Sequence, residues 1–314
     1  MLSVVLSIYN TKNEYIYLAI NSILSQTYKD YEFIIINNGN SSEVNKIIKS
    51  FRDKRIKLLS TKIVVTLYES REIGIRASLN NWIALMDADD ISHHQRFENQ
   101  IKFIKNNSQL NIGCVGTWAK YMNSMGNVVG YRKSSPVNIK DYNKMKLSNE
   151  AIITTDPSAI INKQAFLRIG GYNPQYSPAA DLDLWYRMVE KGYIILSLPQ
   201  YLFYYRIHSN ADSSKNFMLQ RKKTHFANLN MERRRGNKKE IEYVEFCNKY
   251  WNNVLYRFPR MWRNYAKYYY KQAGMKYLEK KYILVVVFLI LSMIINPIFV
   301  INRITSHLFG WKNL

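Results

Sequence analysis

The sequence predicts an α/β protein built on a mostly parallel, doubly wound sheet, and three observations support this. The first ninety residues alternate short apolar runs with helix-period segments in the order βαβαβ, which is typical of parallel sheets. Several of the apolar runs are nearly continuous in β-branched residues, as expected for strands that are covered on both faces. The chain of 314 residues is also long enough for one large or two modest cores without metal or disulfide staples.

The elements of the first half follow in order. Strands are predicted at residues 2–8, 31–36, 56–59 and 82–86. Between the first strands, residues 14–25 and 44–51 place apolar side chains on one helical face. Ligands bind beyond the carboxyl ends of the strands in such sheets. In this sequence those ends are polar, at residues 7–10, 37–40 and 87–90.

The second half is less regular. A helix is predicted over 93–105, strands over 111–118 and 128–132, a helix over 181–191, and strands over 194–198 and 202–207. We therefore expect one α/β domain over residues 1–212. A basic, aromatic-rich helical region over 213–281, a hydrophobic segment over 282–301 and a short tail over 302–314 complete the predicted organisation.

The positive charge is concentrated in the last third of the chain. The net charge is +22, and from Ser213 onward there are 20 Lys and Arg against five Asp and Glu. Such an excess attracts nucleic acid or anionic lipid headgroups. Residues 282–301 contain no charge and are long enough to match a bilayer core of about 30 Å. An anionic membrane surface is therefore the expected partner, whether the segment spans the bilayer or lies in it.

The cysteines and the amino terminus bear on the cellular compartment. Cys114 and Cys247 are the two cysteines, and they form neither a disulfide framework nor a zinc motif. Met1 leads directly into an apolar strand-like run, so no signal peptide is expected. Together with the hydrophobic segment, these features predict a protein at the cytosolic face of a membrane with a C-terminal anchor.

Three carboxylates in four residues, Asp87, Asp89 and Asp90, directly follow the strand at 82–86. They repel one another unless a cation lies among them, and a divalent ion held by a few carboxylates commonly takes phosphate oxygens as further ligands. The loop therefore predicts a metal–diphosphate site. The sequence has neither GxGxxG after the first strand nor a P-loop motif, so the phosphates must be held in another way.

With these residues in view, the chain resembles the family 2 glycosyltransferases, whose catalytic domain has the GT-A fold. The resemblance extends from Leu2 to about Ser209, and its motifs occur in the family's order. They are VVLSIYN, AINSILSQTYKDYEFIII, INNGN, Arg71 with Gly74, WIALMDADD, HHQRFENQ, GGY, ADLDLWYR and YYRIHSN. The resemblance therefore assigns the GT-A fold to residues 1–212.

The resemblance also implies roles for individual residues. Asp89 would bind Mn²⁺ or Mg²⁺, Asp87 would contact the ribose and the metal shell, and Asp90 would assist. His208 matches a family histidine that reaches the metal or the diphosphate. The residues expected to bind the nucleotide sugar are Tyr9, Asn10, Asn38, Arg71, Asp87 and Asp89.

Asp181 matches the position of the family's general base, and Asp183 is the alternative. Two residues further along a helix, Asp183 points in another direction. The sequence also departs from the family pattern. Asn37-Asn38 replaces a paired Asp that helps to recognise the base and ribose, Ala180 replaces a Glu, and Glu72 replaces an Asn.

The resemblance implies a metal-dependent, inverting hexosyl- or N-acetylhexosaminyltransferase that uses a nucleotide-sugar donor, expected to be UDP-linked. The expected acceptor is a lipid-linked glycan or a surface polysaccharide at the cytosolic membrane face. One alternative is a protein or peptidyl glycosyltransferase of the same fold. Another is a nucleic-acid-binding protein that uses the basic third. Nucleic acid is not the expected partner, because a nucleic-acid-binding function would explain neither the uncharged segment nor the ordered motifs.

Overall fold

The computed structural model describes residues 1–209 and 211–309. The chain forms two units, Met1–Arg206 and Ile207–Leu314. The first unit ends six residues before the boundary predicted at residue 212. Its core is a nine-stranded sheet with helices packed against it.

The strands are numbered in chain order. They are β1 Leu2–Ile8, β2 Tyr31–Asn37, β3 Ile56–Ser60, β4 Trp82–Asp87, β5 Ile91–Ser92, β6 Ile112–Met122, β7 Val128–Arg132, β8 Ile160–Asn162 and β9 Ile194–Arg206. The order across the sheet is β3-β2-β1-β4-β8-β6-β9-β5, and β7 pairs with β6. The α/β class expected from the sequence is confirmed, but the sheet is mixed rather than mostly parallel.

The parallel half of the sheet is the part that the sequence predicted best. β1 lies between β2 and β4 and pairs with both in parallel, while β3 adds to the edge of β2. Every residue of β1 is buried, which explains its unbroken apolar run. The register aligns Ile8 with Asn37 and Ser7 with Asp87. The polar residues that follow these strands therefore share one edge of the sheet.

The other half contains antiparallel pairs, and here the sequence prediction needs correction. β8 was not predicted, although it joins β4 to β6 through two antiparallel pairings. The strands predicted at 194–198 and 202–207 form one strand, β9. Its register against β6 shifts between Leu198 and Tyr201, because Pro199 has no amide hydrogen for the ladder and the strand bulges around it.

The helices of the first unit include the four predicted ones, each displaced by one to three residues at an end. They are α1 Asn13–Leu24, α2 Ser42–Ser50, α3 Leu67–Ala77, α4 Arg96–Asn106, α5 Ile139–Leu147, α6 Lys163–Arg168 and α7 Ala180–Glu190. Thr66 and Glu69 form a capping box at the start of α3. Gly74 lets α3 approach the sheet, because a Cβ atom there would lie 2.6 Å from Val5 Cγ1. This close packing fixes Arg71, one turn earlier, against the sheet.

The second unit is helical. Its helices are α8 Asp212–Lys215, α9 Phe217–Arg235, α10 Tyr243–Phe246, α11 Val254–Leu278, α12 Tyr282–Ile295 and α13 Pro297–Phe309, and a π-helical turn spans Cys247–Trp251. The hydrophobic segment predicted at 282–301 is not one helix. Asn296 separates α12 from α13, since the following Pro297 disfavours helical geometry at the residue before it.

Within residues 1–209 and 211–309, none of the helices combines the length and the apolar character needed to cross a membrane. The tail predicted at 302–314 falls partly in α13, and its residues 310–314 lie outside the described residues.

Candidate active site

The acidic loop lies at the carboxyl end of β4, as predicted. Asp87 is the last residue of that strand, and Asp89 and Asp90 follow in the turn before β5. Each of the three carboxylates offers an oxygen, and the three oxygens lie within 4.8 Å of one another. The structure thus brings together the three aspartates among the four residues predicted to bind a metal, the fourth being His208.

The electrostatics of the loop favour a cation. Burial raises the pKa of Asp87, and the neighbouring Asp89 raises it further, while Arg71 opposes the shift. Burial also raises the pKa of Asp90 well above its usual range, with contributions from Asp89 and Asp87. Within the described chain, Asp90 Oδ2 is buried without a hydrogen-bond partner. A divalent ion would relieve both the repulsion and the unsatisfied oxygen, so these residues fit the predicted Mn²⁺ or Mg²⁺.

Arg206 fixes the backbone of the loop. Its amide donates to Asp90 Oδ1 at 2.7 Å, and its Nε donates to the carbonyl oxygen of Asp89 at 2.7 Å. The guanidinium lies 4.2 Å from the centre of the Tyr15 ring and also donates to the carbonyl oxygens of Asn123 and Ser124. Arg206 was not predicted as a site residue. It holds the Asp90 carboxylate and the Asp89 backbone in place.

Arg71, predicted to bind the nucleotide sugar, is 1% exposed and lies behind the loop. Its two terminal nitrogens donate to Asp87 Oδ1 and to Asp156 Oδ2. Arg71 therefore bridges two carboxylates and orients Asp87. Its direct contact with the nucleotide sugar stays a prediction.

Asp156 is a site residue that the sequence interpretation missed. It begins a single 3₁₀ turn, Asp156–Ser158, just before β8. Burial raises its pKa to about 7, and the charges of Asp181 and Asp87 add to the rise while Arg71 opposes it. The signal that could have revealed it is Arg71 itself, because a guanidinium on the helix face packed against the sheet requires acidic partners.

Asp181 lies in the first turn of α7, and its Oδ1 accepts a hydrogen bond from the Tyr68 hydroxyl at 3.1 Å. Burial raises the pKa of Tyr68 well above its usual range, so the hydroxyl stays a donor at neutral pH. No hydrogen bond from another described residue reaches Asp181 Oδ2. One oxygen of Asp181 is thus anchored and the other is available to a ligand.

Asp183, the alternative base, has a different environment. Its side chain is 0% exposed and pairs with Arg187, whose Nε lies 2.8 Å from Asp183 Oδ2. Arg187 also donates to the carbonyl oxygens of Ile169 and Gly171, so the pair ties α7 to the end of α6. This arrangement is structural and favours Asp181 as the base.

Asn38 is buried and makes hydrogen bonds to the loop after β3. Its Oδ1 accepts from Thr61 Oγ1 and from the Val65 amide, and its Nδ2 donates to the Val65 carbonyl oxygen. One amide hydrogen therefore remains for a ligand. At the end of β1, Tyr9 is 55% exposed, and Asn10 adopts a left-handed backbone conformation with φ of 47°.

His208 belongs to the second unit. Its carbonyl oxygen accepts from Ser214 Oγ at 3.2 Å and from the Ala211 amide at 3.2 Å. Both donors lie at or within the start of α8. The role of His208 at the metal or the diphosphate stays a prediction.

Comparison with known proteins points to one family. The sequence model described as Glycosyl transferase family 2 matches residues 3–170. The O-antigen biosynthesis glycosyltransferase WbnJ of Escherichia coli is 29% identical, with 67% of this chain and 81% of that protein covered. The UDP-Glc:alpha-D-GlcNAc-diphosphoundecaprenol beta-1,3-glucosyltransferase WfaP of Escherichia coli is 25% identical, with 69% and 81% covered.

Among solved structures, S. aureus TarS 1–349 in complex with UDP-GlcNAc has a similar fold. The TM-score is 0.58 at 13% sequence identity, and the match covers 92% of this chain and 89% of that one. At this identity the likeness concerns the fold.

Proposed function

Because the chain belongs to glycosyl transferase family 2 and is a glycosyltransferase, we propose that it performs metal-dependent, inverting transfer from a UDP-sugar to a lipid-linked glycan acceptor. The main observation is the acidic loop, where three carboxylates offer oxygens within 4.8 Å of one another at the carboxyl end of a buried strand. The nucleotide and the acceptor class are supported by relatives. WfaP is named for UDP-Glc and a diphosphoundecaprenol-linked sugar, and WbnJ for O-antigen biosynthesis.

In this mechanism Asp87, Asp89 and Asp90 would hold Mn²⁺ or Mg²⁺. When bound, such an ion neutralises the charge that develops on a departing nucleoside diphosphate. Arg71 keeps the Asp87 carboxylate oriented from behind, and Arg206 keeps the Asp89 backbone and the Asp90 carboxylate fixed. The loop is therefore rigid before the donor binds, which reduces the cost of reorganisation in the transition state.

Asp181 supplies the proton acceptor. The acceptor hydroxyl transfers its proton to Asp181 Oδ2, while Tyr68 holds Oδ1 through a hydrogen bond. The deprotonated acceptor oxygen forms a bond to the anomeric carbon, and the bond from that carbon to the diphosphate oxygen breaks. Attack from the face opposite the leaving group inverts the configuration at that carbon.

The test is transfer from a panel of UDP-sugars to GlcNAc-diphosphoundecaprenol in Mn²⁺, with and without EDTA. We expect EDTA to abolish transfer, Mn²⁺ or Mg²⁺ to restore it, and Asp89→Ala to lose both UDP binding and turnover. Asp30→Ala is the matched control, because the Asp30 carboxylate is 64% exposed in the same unit and pairs with the amino terminus. Undiminished transfer in chelator would exclude the metal-dependent mechanism.

A further inference from the structure

A stripe of exposed apolar side chains lies along α12 and resumes on α13 beyond the break at Asn296. Within each helix its members recur every three or four residues, the spacing of one helical face. They are between 44% and 82% exposed. The stripe consists of Ile283, Val287, Ile290, Ile294, Ile298 and Ile301.

The opposite side of α12 is packed within the second unit. Ser292 is fully buried, and its hydroxyl donates to the Ala266 carbonyl oxygen on α11 at 2.8 Å. Phe288 stacks on Tyr269 with ring centres 6.1 Å apart. α12 is thus held on α11 by one face, and the stripe is the face left exposed.

The first half of α11 carries further exposed apolar side chains. Leu255, Phe258, Trp262 and Tyr265 follow the same helical spacing and are between 38% and 86% exposed. Trp262 joins the two helices, because its Nε1 donates to the Ile295 carbonyl oxygen at 2.6 Å. With the stripe, these four residues give the second unit ten exposed aliphatic and aromatic side chains on α11, α12 and α13, and clustered exposed apolar residues mark interaction sites.

The charges around this surface are almost all positive. From Val254 to Phe309 the sequence has nine Lys and Arg and one Glu. Exposed Lys280 and Lys281 precede the stripe, and exposed Arg303 follows it. Long cationic side chains at the ends of an apolar helical face place their charges among lipid headgroups while the face enters the acyl boundary.

We propose that this surface docks onto an anionic lipid bilayer, with the axis of α12 parallel to the membrane plane and the stripe inserted at the headgroup boundary. The charge distribution identifies the occupant, because negative phospholipid headgroups complement the surface whereas a second copy of this chain would bring like charges together. The docking requires only the second unit's surface and does not depend on the metal site or on the acceptor.

The test is flotation of the full-length protein with vesicles of phosphatidylcholine alone or of phosphatidylcholine with about 30% phosphatidylglycerol, which gives the surface a negative potential. We expect flotation with the anionic vesicles, weakened when salt rises from about 0.1 M to 0.5 M because screening shortens the electrostatic range. Ile290→Ser combined with Ile294→Ser should weaken partitioning about tenfold or more. Lys280→Gln combined with Lys281→Gln should remove part of the salt-sensitive binding.

Leu79→Ser combined with Leu147→Ser is the matched control, since these side chains are 77% and 85% exposed in the first unit. That variant should float like the unaltered protein, and thermal melting should show that all variants are folded. Equal flotation with both vesicle types, or unchanged flotation of the Ile290/Ile294 variant, would overturn the proposal. The proposal would also be overturned if the unaltered protein did not bind vesicles and instead formed a dimer in light scattering that the Ile290/Ile294 variant failed to form.

Discussion

Substitution by Asn should mainly lower activity at Asp181 and mainly lower stability at Asp183, the two aspartates in the first turn of α7. In Asp181→Asn, the amide oxygen still accepts the Tyr68 hydrogen bond, but the group that removes the acceptor proton is lost. Loss of a general base typically lowers the rate by about 10² to 10⁴. Loss of a charge at a helix amino terminus costs only about 0.3–1 kcal/mol of stability. We therefore expect a folded, nearly inactive enzyme that binds UDP-sugar with near-normal affinity.

Asp183→Asn should instead affect stability. The Asp183 side chain is fully buried, and the Arg187 side chain is only 15% exposed. The substitution removes the negative charge and leaves the largely buried Arg187 guanidinium without its ionic partner. Breaking a buried ion pair costs about 3–5 kcal/mol. The lower end applies here, because Arg187 keeps its bonds to the Ile169 and Gly171 carbonyl oxygens. A loss of about 3 kcal/mol lowers the melting temperature of a unit of about 200 residues by roughly 6–12 °C.

The measurements are calorimetric donor binding, UDP release in the transfer assay, and thermal unfolding, each on both variants. Activity is compared per folded molecule at a temperature well below both transitions. The assignment of Asp181 as the base would be refuted if Asp181→Asn retained activity within a few-fold of the unaltered enzyme. It would also be refuted if folded Asp183→Asn were inactive while Asp181→Asn was not.

Two further predictions concern the Arg71 bridge and the packing beside it. Because burial raises the pKa of Asp156 to about 7, this carboxylate contributes negative charge at pH 8 and little at pH 6. Asp156→Asn should therefore raise the half-saturating Mn²⁺ concentration for UDP binding by about three- to tenfold at pH 8, and it should hardly change that concentration at pH 6. The control is Asp53→Asn, which removes the partner of Arg55 and should change the Mn²⁺ requirement at neither pH. Gly74→Ala would place a methyl group 2.6 Å from Val5 Cγ1 and 2.7 Å from Ile36 Cδ1. This over-packing should lower the free energy of unfolding, measured with denaturant, by about 1–3 kcal/mol. Gly274→Ala is the control: its added Cβ lies on a helix and meets no atom within 4 Å, so it should raise the free energy of unfolding by about 0.5–1 kcal/mol.

The parallel half of the sheet and the position of the acidic loop could be predicted from the sequence alone. β1, β2 and β4 are buried on both faces, so their apolar runs are long and unbroken, and β1 was predicted at its exact bounds. A loop that follows such a strand lies at the carboxyl edge of the sheet whatever the rest of the chain does. Local patterns therefore placed Asp87, Asp89 and Asp90 together. The break at Asn296 was also signalled locally by the proline that follows it.

Other features depend on contacts between distant parts of the chain. The short strand β8 has three residues, too few to show a periodicity, and it exists because β4 and β6 flank it. Arg71 meets Asp156 across 85 residues of sequence, and Tyr68 meets Asp181 across 113. Whether Asp181 or Asp183 is available to a substrate likewise depends on which of them Arg187 neutralises. A local pattern records which face of an element is buried, whereas the partner of a buried charge is chosen by the packing of elements against one another, and only the tertiary structure decides that.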